Sequence, residues 1–228
     1  MDKRFLAILA VIIAVFIGFF AFNQKSNAPT TNSSSTGQAT NHVMGQGAKN
    51  VTLTEYGDYE CPVCYEYYQP IKDAVTQESA SIYFQFRNLP LSAIHPNAFA
   101  AARAAEAAGV QNKYWQMHDL LYENQDPTGQ SGWVASKSPL DDYFVKFAQQ
   151  LGLDTNQFKQ DYASSKVNDS INADLAAFNK TGQQMATPSF FLDGKYVDNS
   201  QFVDSSTGQV STAKIVSAIN AEIAAKSK

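Results

Sequence analysis

The chain carries two cysteines in 228 residues, and they form the tetrapeptide Cys61-Pro62-Val63-Cys64. A structural disulfide stabilises mainly by closing a long loop in the unfolded chain, and a loop this short removes little entropy. Thiols at this spacing instead exchange electrons as a dithiol–disulfide pair or supply half of a zinc site. Zinc needs two further ligands, and the histidines are His42, His95 and His118, without the close spacing of a His pair and without a second Cys-x-x-Cys. The residues therefore favour redox chemistry that passes through sulfur itself and calls for no metal or organic cofactor.

A cysteine is nucleophilic as thiolate, and the start of a helix favours that form through free N–H groups and partial positive charge. Cys61 is expected at such a start. Pro62 suits the first helical turn, where its missing N–H would have no partner, and it stiffens the link between the sulfurs. Cys64, one turn further in, is expected to be the more buried partner that resolves a mixed disulfide formed at Cys61. Glu55 lies six residues earlier on the apolar parity of a strand, so a carboxyl is expected under the cysteines. Burial there would raise its pKa and let it relay a proton for Cys64.

The elements that must position these groups follow from periodicity. Alternation over residues 51–56 predicts a strand, and Val63, Tyr67, Ile71 and Val75 recur at helical spacing, with a kink expected at Pro70. A second strand is expected over 82–86. Helices are expected over 98–108, over 114–122, from Pro139 through Tyr143, Phe144, Phe147 and Leu151 to a stop at Gly152, and along Val167, Ile171, Leu175 and Phe178. Asp193-Gly194 predicts a hairpin between 189–192 and 195–197, followed by a helix carrying Ile215, Ile219 and Ile223. The result is an α/β chain with helices covering a small sheet. Trp115, Tyr114 and the Phe-rich stripes read as core, His95 and His118 as helix-start and packing residues, and Arg87 as an ion pair or a flank of the active site.

Composition bounds the rest. Hydrophobic residues make up 44% of the chain, enough for one cored domain, and a net charge of −4 gives no field that would draw nucleic acid. Residues 5–22 are an uninterrupted apolar run whose helix would reach roughly 27 Å, near the hydrocarbon thickness of a bilayer. Lys3 and Arg4 before it place the N-terminus in the cytoplasm and the remainder outside. A cleaved signal peptide has a shorter apolar core and a small-residue cleavage site, so residues 1–22 read as a retained single-pass anchor. Residues 23–48 are polar and without aromatics, and read as a flexible linker spanning about 30 Å, leaving 49–228 as the folded domain.

Four ordered stretches resemble the DsbA-type branch of the thioredoxin-fold superfamily in a membrane-anchored form. They are Glu55 to Cys64, Arg87-Asn88-Leu89-Pro90-Leu91, the run from His95-Pro96-Asn97-Ala98 through Tyr114 to Leu121, and Thr187-Pro188-Ser189-Phe190-Phe191-Leu192-Asp193-Gly194. The resemblance implies a thioredoxin-like fold with a helical insertion at about 93–182 and a cis bond before Pro188. That bond would bring Thr187 beside the cysteines, where its backbone pairs with an extended substrate strand. It also implies an extracytoplasmic thiol-disulfide oxidoreductase that forms or exchanges disulfides in unfolded or cysteine-containing exported proteins. The membrane redox partner would be a quinone-linked reoxidant or an electron donor. The chain departs from well-known DsbA oxidases at Val63, where they carry histidine, so no imidazole stands between its cysteines. A reductase or isomerase of the same fold remains the alternative, with a non-catalytic module for binding unfolded chains further off.

Overall fold

The computed structural model describes residues 38–227. The expected anchor and the first part of the expected linker, to residue 37, lie outside the described residues. Among the described residues, no helix is long and apolar enough to cross a membrane.

The chain enters through β1 (His42–Met44) and β2 (Val51–Gly57), passes through α1 (Pro62–Gln77) and returns as β3 (Ile82–Asn88). Helices α2 (Ala98–Val110) and α3 (Tyr114–Glu123) follow, then a π-helical turn over Leu140–Phe144 that continues into α4 (Val145–Gln150). After these come α5 (Thr155–Tyr162), α6 (Ser165–Asn179), the hairpin β4 (Ser189–Leu192) and β5 (Lys195–Val197), and α7 (Thr212–Lys226). The five strands form one sheet in the order β1-β3-β2-β4-β5. The β2–α1–β3 unit is parallel, as its helical crossover requires, and the other neighbours are antiparallel.

Alternation in β2 sends Val51, Leu53 and Glu55 inward while Thr52 and Thr54 stay half-buried. One apolar cluster joins the sheet, α1, α7 and the helical insertion, taking in Phe86, Phe190, Ile215, Met117, Trp133 and both cysteines. The insertion and the sheet therefore share a core. Helix α2 buries seven alanines together with Glu106, because short side chains let α3, α5 and α6 close on it from several sides.

Two elements of the insertion differ from expectation. The helix opening after Pro139 begins as a π turn, and α5 had no apolar stripe to announce it, since it buries only Phe158 and Tyr162. Its local signal is the Asp154 cap, which accepts from the amides of Asn156 and Gln157.

The linker, expected to run to residue 48, ends earlier. His42–Met44 pairs with β3, and the amides of Gln46 and Lys49 donate to Ser79 and Ser81 at 2.7 and 2.8 Å. Polar composition hid this because polar contacts hold the segment. Thr40 donates through its amide and hydroxyl to Asp174 at 2.7 and 2.6 Å. His42, assigned to the linker, bonds to Glu106 at 2.9 Å and stacks on Tyr114 with ring centroids 3.3 Å apart. Gly45 and Gly47 make the approach to β3 feasible: both have positive φ, and a Cβ would stand 2.3 Å from the Ile82 carbonyl and 2.0 Å from the Tyr83 ring.

Candidate active site

Helix α1 begins immediately after Cys61, whose φ of −71° and ψ of 122° are those of an extended N-cap residue. Its side chain accepts no capping hydrogen bond, although the nearby amides of Val63 and Cys64 favour its thiolate. Pro62 occupies the first helical turn, where no intrahelical N–H is needed. Cys61 is 5% exposed and Cys64 fully buried, while Pro62 and Val63 face solvent. Both sulfurs are unbridged thiols.

This placement drives the two thiols apart. The Cys61 thiol is lowered to about 6, chiefly because the Cys64 S–H donates to its sulfur. Burial opposes that shift, and the Thr187 hydroxyl and the amides of Cys64 and Val63 reinforce it. The Cys64 thiol is pushed well above its ordinary 9, first by burial and then by donating to Cys61 and facing the charges of Cys61 and Glu55. Near neutral pH this arrangement equips Cys61 to act as a nucleophile while Cys64 holds its proton.

The Thr187–Pro188 peptide bond is cis, and the Thr187 carbonyl accepts from Cys61 Sγ at 3.5 Å. The Thr187 hydroxyl is buried without another partner among the described residues, which leaves it free to donate to the thiolate. Pro188 is buried, and the Asn199 amide anchors its carbonyl at 2.8 Å.

Glu55 is 3% exposed, and its pKa is raised to about 8, mainly by burial and then by the charge of Cys61. No hydrogen-bond partner for its carboxyl occurs among the described residues. The group lines a cavity of about 120 Å³ together with Tyr68, His118 and Tyr122, and the half-exposed Lys72 and Asp119 line its outer part. Water fits a polar-edged space of this size, so the carboxyl meets the cysteines on one side and a hydrated space on the other. His118 is held neutral, its pKa lowered to about 3 chiefly by burial, and its Nδ1 meets the Tyr59 hydroxyl at 3.1 Å.

All five residues singled out in the sequence, Cys61, Cys64, Glu55, Thr187 and Pro188, thus converge. Reading the sequence missed a second ring of polar groups around the start of α1. Asp58, with its side chain fully buried, accepts from the Glu60 amide at 2.8 Å, the Leu91 amide at 2.9 Å and His95 Nδ1 at 2.7 Å. Glu60 accepts from the Asn97 amide at 2.6 Å, and burial raises its pKa to about 6. Gln125 of the insertion donates to the carbonyls of Tyr59 and, at 3.2 Å, Cys61. Apart from the Glu60 amide, these partners come from 33 to 66 residues away, beyond any local pattern. Arg87 resolves to an ion pair: it meets Asp174 of α6 at 3.4 Å.

A family model described as thioredoxin matches residues 37–211. Among solved structures, a thioredoxin-like oxidoreductase from Silicibacter pomeroyi is 26% identical with a TM-score of 0.61, covering 86% of this chain and 98% of its own. BdbD from Bacillus subtilis is 22% identical with a TM-score of 0.65, covering 82% and 97%. The thiol-disulfide exchange protein α-DsbA2 from Wolbachia pipientis is 17% identical with a TM-score of 0.63, covering 80% and 87%. These last two likenesses are of fold. In sequence, the Na(+)/H(+) antiporter NhaA 1 of Salinispora arenicola is 33% identical over 177 residues, which are 75% of this chain and 24% of the antiporter. The chain thus spans about a quarter of the length of the curated relatives it matches.

Proposed function

This chain belongs to the thioredoxin family, and from that premise we propose that it is a DsbA-like thiol-disulfide oxidoreductase acting through Cys61 and Cys64 on exported proteins. The observation that carries the reading is the split between the two thiols: Cys61 lowered to about 6 and Cys64 raised, within one turn of helix. A stabilised thiolate favours the reduced pair, so the disulfide form is a ready oxidant.

In the oxidising direction, a substrate thiolate attacks Cys61 Sγ of the Cys61–Cys64 disulfide. The bond to Cys64 breaks, and Cys64 leaves with the electron pair and takes up a proton. Glu55, protonated below about pH 8, supplies that proton and regains one from the cavity. A second substrate thiolate then attacks the substrate sulfur of the mixed disulfide, the substrate disulfide forms, and Cys61 leaves as thiolate. Two electrons pass from substrate to protein, and a quinone-linked membrane partner returns the pair to the disulfide. No metal or organic cofactor enters these steps.

Thr187 and Pro188 offer the substrate an extended backbone edge beside Cys61. The exposed Val63, Ile94 and Met185 stand on the segments that carry Cys61, His95 and Thr187, and suit an unfolded cysteine-containing chain. The apolar run 5–22 supports an extracytoplasmic site tethered to a membrane, with the N-terminus in the cytoplasm.

Equilibration of the purified protein with glutathione buffers tests the direction. A midpoint near about −120 mV supports the oxidase, and one near about −270 mV overturns it in favour of a reductase. Loss of all exchange in Cys61→Ser and Cys64→Ser supports an enzyme, and retention supports a binding module.

A further inference from the structure

The dipeptide between the cysteines, Pro62-Val63, brings no charge to the sulfur it flanks. An imidazole is tied to the same segment by another route. Asp58 lies three residues before Cys61, and its carbonyl accepts from the Cys61 amide at 3.1 Å. Its carboxylate accepts from His95 Nδ1 at 2.7 Å. His95 therefore connects to the Cys61 backbone through a single residue, although 34 positions separate them in the chain. The Asp58 side chain is fully buried and the His95 side chain 16% exposed, so the ring is fixed by the pair yet keeps an edge toward solvent. The amides of Leu91 and Glu60 also donate to Asp58, and this holds the carboxylate in place whether or not the ring is charged.

We infer that His95, oriented by Asp58, is a positioning residue that supplies the positive charge opposite the Cys61 thiolate, which the dipeptide between the cysteines does not supply. The inference deepens the proposed redox function and rests on it. Three anionic groups face the imidazole: Asp58, Glu60 and the Cys61 thiolate. All three favour its protonated form, with the Asp58 hydrogen bond the largest influence and burial opposing. Coupling between two sites is reciprocal. If the thiolate holds a proton on His95, protonated His95 holds the charge on Cys61. Oxidation of Cys61 removes that charge, so the imidazolium stabilises the reduced pair and makes the disulfide more oxidising. A histidine at the head of the insertion thereby tunes the sulfur on α1, and this gives the insertion an electrostatic part in the exchange.

The test is the pH titration of Cys61 thiolate absorbance in the reduced full-length protein. His95→Asn keeps a donor where Nδ1 stands and removes the charge, and His95→Lys restores a charge without the ring. The expected results are a Cys61 midpoint raised by roughly half a pH unit or more in His95→Asn, as follows from losing a nearby opposite charge, and a return toward wild type in His95→Lys. A His95→Asn midpoint equal to wild type overturns the inference, as does a raised midpoint that lysine fails to restore, since the effect is then one of shape. The titration needs no substrate, so the two claims separate. Wild-type protein that titrates as described but exchanges no disulfide overturns the proposed function alone.

Discussion

Two of the buried carboxyl groups of this molecule, Asp174 and Glu55, have opposite surroundings. Asp174 on α6 is fully buried and accepts from Thr40 (amide and hydroxyl), the Asn88 amide and side chain, and Arg87. Glu55 on β2 is 3% exposed and meets no donor among the described residues, only a cavity and two sulfurs. Burial raises the pKa of both. At Asp174 the Thr40 and Asn88 donors pull against the rise, whereas at Glu55 nothing does, and the Cys61 charge adds to it. A buried acid surrounded by donors is a fastener, here joining the N-terminal segment, β3 and α6. One left without donors keeps its proton into the range where thiols exchange, and so stays reactive.

Breaking the fastener should have the larger effect. Asp174→Ala strands the donors of Thr40, Asn88 and Arg87 inside the protein, and a loss of roughly 3–5 kcal/mol is expected. Urea denaturation measures it, and a loss below about 1 kcal/mol would assign the joint to apolar packing instead.

Glu55→Gln should act with the opposite sign. The folded chain holds the Glu55 proton up to about pH 8, while the unfolded chain releases it near the ordinary 4.5. The favourable contribution is therefore fully present below about 4.5 and is lost as pH rises through 8. Glutamine removes that loss, so the variant should gain stability over wild type by a few kcal/mol above pH 8 and almost nothing near pH 4. Its disulfide exchange should slow, because Cys64 leaves without a ready proton. Denaturation curves at both pH values, read beside exchange rates, check this. Equal stability gains at both would mean that Glu55 is not a buried titrating group.

The same contrast explains what the sequence made legible. Glu55 could be placed because strand alternation is local: parity along Val51 to Tyr56 put a carboxyl inward, and the neighbouring Cys61-Pro62-Val63-Cys64 gave it a purpose. Asp174 could not, because its partners Thr40 and Asn88 lie 134 and 86 residues away, and one of them sits in a stretch whose polar composition resembles a linker. His95 falls between these cases. Its place at the head of the insertion was visible, but Asp58 as its partner depends on how the β3–α2 loop folds back over the start of α1. Strands β2 to β5, most helices and the cis bond before Pro188 followed from periodicity, turn residues and resemblance, while β1 was hidden in the polar stretch read as linker. The π turn at Leu140–Phe144 and the short helix α5 carried too little apolar pattern to register.

The reading depends above all on Cys61 and Cys64 being unequal thiols. Alkylation of the reduced protein across a pH series, with the labelled cysteine located by mass spectrometry, measures that directly. Cys61 should be labelled with a midpoint near about 6 while Cys64 stays unlabelled past its ordinary 9. Equal labelling of both with a midpoint near 9, or labelling of Cys64 first, would contradict the assignment of nucleophile and resolving thiol.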